Sequence, residues 1–172
     1  TLFFSEVFNH NNIGTERVLA IIEYQKGLAI NVRAHKNLLR PSHFFAPLKQ
    51  NDQKKLQQVM DYYIDRQVTN GEWTQLNGRN VRELKKRYNF FLDKVTEVFA
   101  NISAVFEDEY IFCWLDWDGD NILMDGGIID YGSVRQFGLF EHGYRGDDVQ
   151  RYSTNILEQK NKGKYIVIAF IQ

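Results

Sequence analysis

The residues with the most chemical potential lie between Glu107 and Asp130, where eight carboxylates occur with no lysine or arginine among them. Like charges a few ångströms apart repel by about 1 kcal/mol per pair in water and about 4 near a protein surface. A folded chain either solvates such a run on a loop or places a cation among the carboxylates, and here spacing favours the cation. Asp120-Asn121 lead into Ile122-Leu123-Met124, and Asp130 closes Ile128-Ile129-Asp130 after Asp125-Gly126-Gly127. The two triplets predict short strands about a three-residue loop, where glycine takes a left-handed conformation without strain. That register sets Met124 opposite Ile128 and Ile122 opposite Asp130, with Asn121 diagonal to Asp130 and just outside the pairing. An amide oxygen and a carboxylate so placed suit a hard cation, Mg²⁺ or Mn²⁺, that keeps some waters and binds phosphates. Calcium fits less well. Asp116, Asp118 and Asp120 stand at the first, third and fifth positions of a calcium loop, but Asn121 and Gly127 occupy its glycine and glutamate positions.

The elements that must carry this hairpin are legible from periodicity. Leu2 to Phe8 reads as the end of a helix stopped by Asn9 to Asn12. Val18 to Tyr24 and Leu28 to Arg33 predict a hairpin about Gln25-Lys26-Gly27. Ser42 is expected to cap one helix and Asp52 the next, whose apolar residues Leu56, Val59, Met60, Tyr63 and Ile64 fall at helical spacing. From Val81 to Phe106 apolar residues recur every three or four positions, which predicts one long core helix. Tyr110 to Leu115 then reads as a buried strand.

Composition bounds the partners. The 172 residues are 44% hydrophobic and 25% charged, a profile of a globular domain rather than a disordered chain. One cysteine, Cys113, excludes an internal disulfide and a cysteine-cluster zinc site. No apolar run approaches the ~18 residues of a membrane span, and no secretory signal precedes the first helix, so no membrane partner and a cytoplasmic location are expected. A net charge of −1 argues against a nucleic-acid partner. It conceals an asymmetry: residues 1–95 hold 15 basic and 9 acidic side chains, and residues 96–172 hold 6 and 13. The start at Thr1 within a helical pattern reads as a piece of a longer chain.

The acidic hairpin resembles the catalytic loop and metal-binding Asp-Phe-Gly of kinase-like enzymes. Within that class it is similar to the selenoprotein O family, which transfers AMP from ATP to protein hydroxyls. That family shows Thr-Asp-Asn and, nine residues on, Asp-Tyr-Gly; here they read Gly119-Asp120-Asn121 and Asp130-Tyr131-Gly132. Ser5-Glu6, Gly14 to Ala20, Pro41-Ser42-His43 and Arg151-Tyr152-Ser153 resemble further family segments in the same order. The family's catalytic-loop histidine aligns with Trp114, and the arginines flanking its Pro-Ser-His align with Leu38 and Phe45.

The resemblance implies an α+β, protein-kinase-like fold, with residues 1–40 ending the small lobe and 41–172 beginning the helical lobe, the catalytic hairpin at 116–132. It implies a nucleotidyltransferase, a protein adenylyltransferase using ATP with Mg²⁺ or Mn²⁺ on proteins bearing hydroxyl side chains. Asn121 and Asp130 would hold the metal, with Asp120 or Asp116 as the base. Arg33, Lys36 and Arg40 would grip phosphates, and Glu6 would pair with an ATP-binding lysine. Phosphoryl transfer on the same scaffold and an inert nucleotide-binding protein are the alternatives.

Overall fold

The computed structural model describes residues 1–76, 83–108, 112–114, 119–132, 134–136 and 156–171. Over these the chain is mixed α+β, with five helices and two antiparallel strand pairs. Helix α1 (Leu2–His10) leads into the hairpin of β1 (Arg17–Gln25) and β2 (Leu28–Ala34); α2 (Ser42–Lys49), α3 (Gln53–Thr69) and α4 (Leu84–Asp108) follow. The short strands β3 (Phe112–Trp114) and β4 (Val134–Gln136) pair across the acidic hairpin, and α5 (Ile156–Ile171) packs on α4. No helix among the described residues is long and apolar enough to cross a membrane.

The expected helices and the β1–β2 hairpin form close to their predicted places, whereas the triplets Ile122-Leu123-Met124 and Ile128-Ile129-Asp130 meet in a single bridge and not as three-residue strands. Gly27 takes φ +84° at the β1–β2 turn, where a side chain would be strained. Asp52 accepts the Lys55 N–H at 3.0 Å and so satisfies an orphan donor of α3. Ser42 does not cap α2. Pro41 holds the cap position, and Ser42, already helical, donates its backbone N–H to the Gly119 carbonyl at 3.0 Å. Proline suits the start of a helix because its φ is fixed there and it has no N–H to satisfy.

Helix α4 forms the spine of the core. Arg87, Phe91, Val95, Phe99, Ile102 and Phe106 lie buried along one stripe, and the position expected to open it, Val81, lies outside the described residues. Phe91 stacks on Phe44 of α2 with centroids 5.6 Å apart and meets Tyr63 of α3 edge-on at 5.8 Å. Phe99 stacks nearly parallel on Phe170 of α5 at 4.9 Å. Phe8 of α1 meets Phe106 at 6.3 Å. Arg87, charged within this stripe, reaches the Asp61 carbonyl and the Asp65 carboxylate at 3.1 and 2.8 Å, which joins α3 to α4.

Candidate functional site

The acidic hairpin is built into this core by its apolar residues. Ile122, Leu123, Met124 and Ile128 are all buried, whereas Asp120 and Asp130 at its open end are exposed and Asn121 is half-buried. The pairing differs from the expected register by two residues. Ile122 faces Ile128, with Leu123 N–H donating to the Gly127 carbonyl at 2.7 Å and Ile129 N–H to the Asn121 carbonyl at 3.3 Å. Asp130 therefore lies beyond the Ile122 pair rather than opposite it.

Tertiary partners explain the shift. Met124, expected to pair with Ile128, gives its N–H to the Leu39 carbonyl at 2.9 Å. Ile128 gives its own N–H to the Gly14 carbonyl at 3.0 Å and forms a parallel bridge with Thr15. The loop consequently widens, closing with Gly126 N–H on the Leu123 carbonyl at 2.9 Å and Gly126 at φ +83°. A shift of two leaves every side chain on its original face, because strand faces alternate with period two. Asn121, expected just outside the pairing, lies within it, its carbonyl accepting the Ile129 N–H, and Asp130 follows Ile129 at the open end of the hairpin.

Asp130 is oriented by its own backbone: its Oδ1 accepts the Gly132 N–H at 2.9 Å. The next residue, Tyr131, is buried, stacks on Phe4 with centroids 6.2 Å apart, and pairs its hydroxyl with that of Thr15. Thr15 in turn donates to the Ile128 carbonyl at 3.2 Å. Asp130 is thereby tied to the α1–β1 connection through the side chain that follows it.

Burial pushes the Tyr131 phenol up to about 12. Its folded form favours the neutral hydroxyl, so the stability this provides is complete below pH ~10, the ordinary tyrosine value, and drains as pH climbs towards 12. Thermal melts between pH 9 and 12 should show wild type losing stability faster than Tyr131→Phe. Parallel curves would mean that Tyr131 is not held this way.

The expected phosphate-facing cations separate. Arg33 donates to the buried Glu16 carboxylate at 2.7 Å and to the Ile129 carbonyl at 3.2 Å, which places its guanidinium against the residue preceding Asp130. Lys36 pairs with Glu72, an interaction that raises its pKa, and lines a cleft at the turn end of the hairpin with Asp125. Arg40 sits before α2, its backbone N–H and carbonyl both within hydrogen-bond reach of His43 Nδ1. Glu6 accepts two hydrogen bonds from Arg17, at 3.0 and 3.1 Å. Asp116 lies outside the described residues, as do Asp118 and Arg151 to Ser153.

No three His, Cys, Asp or Glu side chains gather into a metal cage among the described residues. An amide oxygen and a carboxylate, the donors Asn121 and Asp130 carry, are of the type that suits a cation completing its shell with water and phosphate oxygens.

No protein-family model matches the chain, and no curated protein matches it significantly. The site must be read from its own geometry. Sequence reasoning missed three of its contacts, Thr15 with Tyr131, Glu16 with Arg33, and His35 with Asp125 at 3.3 Å. Each joins residues distant in the chain or of unremarkable local context, so no spacing signal could have found them.

Proposed function

We propose that this chain belongs to an Mg²⁺- or Mn²⁺-dependent enzyme that transfers AMP from ATP to the Ser, Thr or Tyr hydroxyls of proteins, on a protein-kinase-like scaffold. The reading is supported by the bond from the Ile129 N–H to the Asn121 carbonyl, which brings Asn121 to the residue before Asp130 at the open end of one hairpin, and by the Arg33 guanidinium on the Ile129 carbonyl. Asn121 and Asp130 would supply two oxygens to the metal, whose contribution when bound is to neutralise charge on the phosphates. Arg33 can present a planar fork to phosphate oxygens, a stronger grip than the point charge of Lys36. Asp120, exposed one residue before Asn121, would accept the acceptor hydroxyl's proton; Asp116 is the other candidate base. The hydroxyl oxygen bonds to the α-phosphorus as the bond from that phosphorus to the departing pyrophosphate breaks.

Two measurements test this. Metal titrated into the intact polypeptide should bind weakly alone and much more tightly with ATP present, because two protein oxygens make no complete shell. Equal affinity in both conditions would overturn the metal assignment. Label on the α-phosphate of ATP should reach protein. Label arriving from the γ-phosphate would make the enzyme a kinase, and neither label arriving with ATP retained would make the chain an inert nucleotide-binding scaffold.

A further inference from the structure

The turn of the acidic hairpin carries a carboxylate that this chemistry does not use. Asp125 Oδ1 accepts the Gly127 N–H at 3.2 Å, and Oδ2 lies 3.3 Å from His35 Nε2. Burial raises the pKa of Asp125, and the facing His35 opposes the shift. The imidazole is fixed at its other nitrogen too. His35 Nδ1 lies 3.2 Å from the Asn37 N–H and 2.9 Å from the Asn37 carbonyl. A neutral ring can accept from that N–H and a protonated ring can donate to that carbonyl, so Nε2 presents a hydrogen to Asp125 in either state. A Cβ at Gly127 would stand 3.1 Å from His35 Nε2, so the glycine admits the ring.

This contact occupies a structurally decisive place. The stretch from His35 to Ser42 touches the hairpin three times: His35 at the turn, the Leu39 carbonyl on Met124, and Ser42 N–H on the Gly119 carbonyl. The second and third are backbone hydrogen bonds along one edge. The first is a side-chain tie at the end farthest from Asn121 and Asp130. Around it lie the Lys36–Glu72 pair, Arg17 held by Glu6, and the buried Tyr63.

We infer that His35 and Asp125 are positioning residues, a latch that fixes how the hairpin sits against the end of β2 and through it where Asn121 and Asp130 lie relative to Arg33. The inference rests on the metal–nucleotide reading of those two residues. Ligand orientation held by outer contacts typically governs affinity by about 10–100-fold, and a tie at the far end of the hairpin belongs at the lower limit.

The test is calorimetric titration of Mn²⁺ with ATP into the full chain, alongside amide hydrogen exchange. His35→Ala and Asp125→Ala should each weaken binding roughly 10-fold, with the double variant no worse than either. His35→Gln should recover most of the loss, because its amide nitrogen can occupy the place of Nε2. Exchange at the Leu123 and Ile129 N–H groups should quicken in the alanine variants. Where an alanine variant does not fold, Asp125→Asn carries the same expectation, since its single oxygen can serve Gly127 or His35 but not both. Unchanged binding in His35→Ala, with Asp130→Ala losing it, would overturn the latch and leave the metal site standing. If Asp130→Ala binds as wild type, the metal reading falls, and unchanged exchange at Leu123 and Ile129 would then overturn the latch as well.

Discussion

Asp130→Ala is expected to abolish ATP-dependent metal binding and the transfer of α-phosphate label, while leaving the thermal transition nearly unchanged. The side chain is exposed and lies outside the buried core, its Oδ1 accepting the Gly132 N–H two residues on. Its loss would leave Asn121 as the remaining ligand of the proposed pair. Removing one such electrostatic stabiliser from an active site commonly costs on the order of 100- to 1,000-fold in rate. Retained transfer in a folded Asp130→Ala variant would remove the hairpin from the chemistry. Arg33→Ala should weaken transfer more than Lys36→Ala, but the two need different controls. Arg33 covers the buried Glu16 carboxylate, so Arg33→Ala also leaves that charge without its cation, a destabilising change. Pairing Arg33→Ala with Glu16→Gln separates lost phosphate grip from lost stability. Lys36 is exposed beside Glu72, and its substitution carries no such burden.

Phe99→Ala is expected to destabilise the fold by about 3–5 kcal/mol, with Phe91→Ala close behind. Phe99 is 0% exposed and Phe91 2%, and each is stacked against a ring from a different helix, Phe170 and Phe44. Truncation removes the transfer free energy of the ring and leaves a cavity that the surrounding structure can only partly close. A domain has about 5–15 kcal/mol in total, so either substitution consumes a large share. At roughly 2–4 °C per kcal/mol for this chain length, the melting temperature should fall by about 10 °C. Leu92→Ala, on the same helix but 40% exposed, should cost much less. A melting temperature unmoved by Phe91→Ala or Phe99→Ala would mean that this face of α4 is a binding surface and not core.

What the amino-acid sequence determined by itself was the set of local decisions. Apolar spacing along Leu84 to Phe106 specifies α4 and its buried face, because residues three and four apart share one side of a helix. Asp52 and Gly27 specify a helix start and a turn, since a capping oxygen and a missing Cβ act within four residues. The same short range brought Asn121 back to the residue before Asp130, because a short hairpin reverses the chain within a few residues.

Tertiary structure decided the rest. The hairpin's register followed from hydrogen bonds that Gly14 and Leu39 offer to Ile128 and Met124, and nothing in the hairpin's own residues reports those partners. Glu6 found Arg17 and Lys36 found Glu72, since a long charged side chain takes the nearest opposite charge its neighbours provide. Arg33 came to rest beside Asp130 because β2 runs past the hairpin and the buried Glu16 holds the guanidinium there. The His35–Asp125 tie has the same origin: a histidine without ligand spacing and an aspartate in a glycine-rich turn become partners only when packing brings both to one edge. Chemical identity along the chain is local, but which charges meet is settled by the packing of apolar surfaces that carry them.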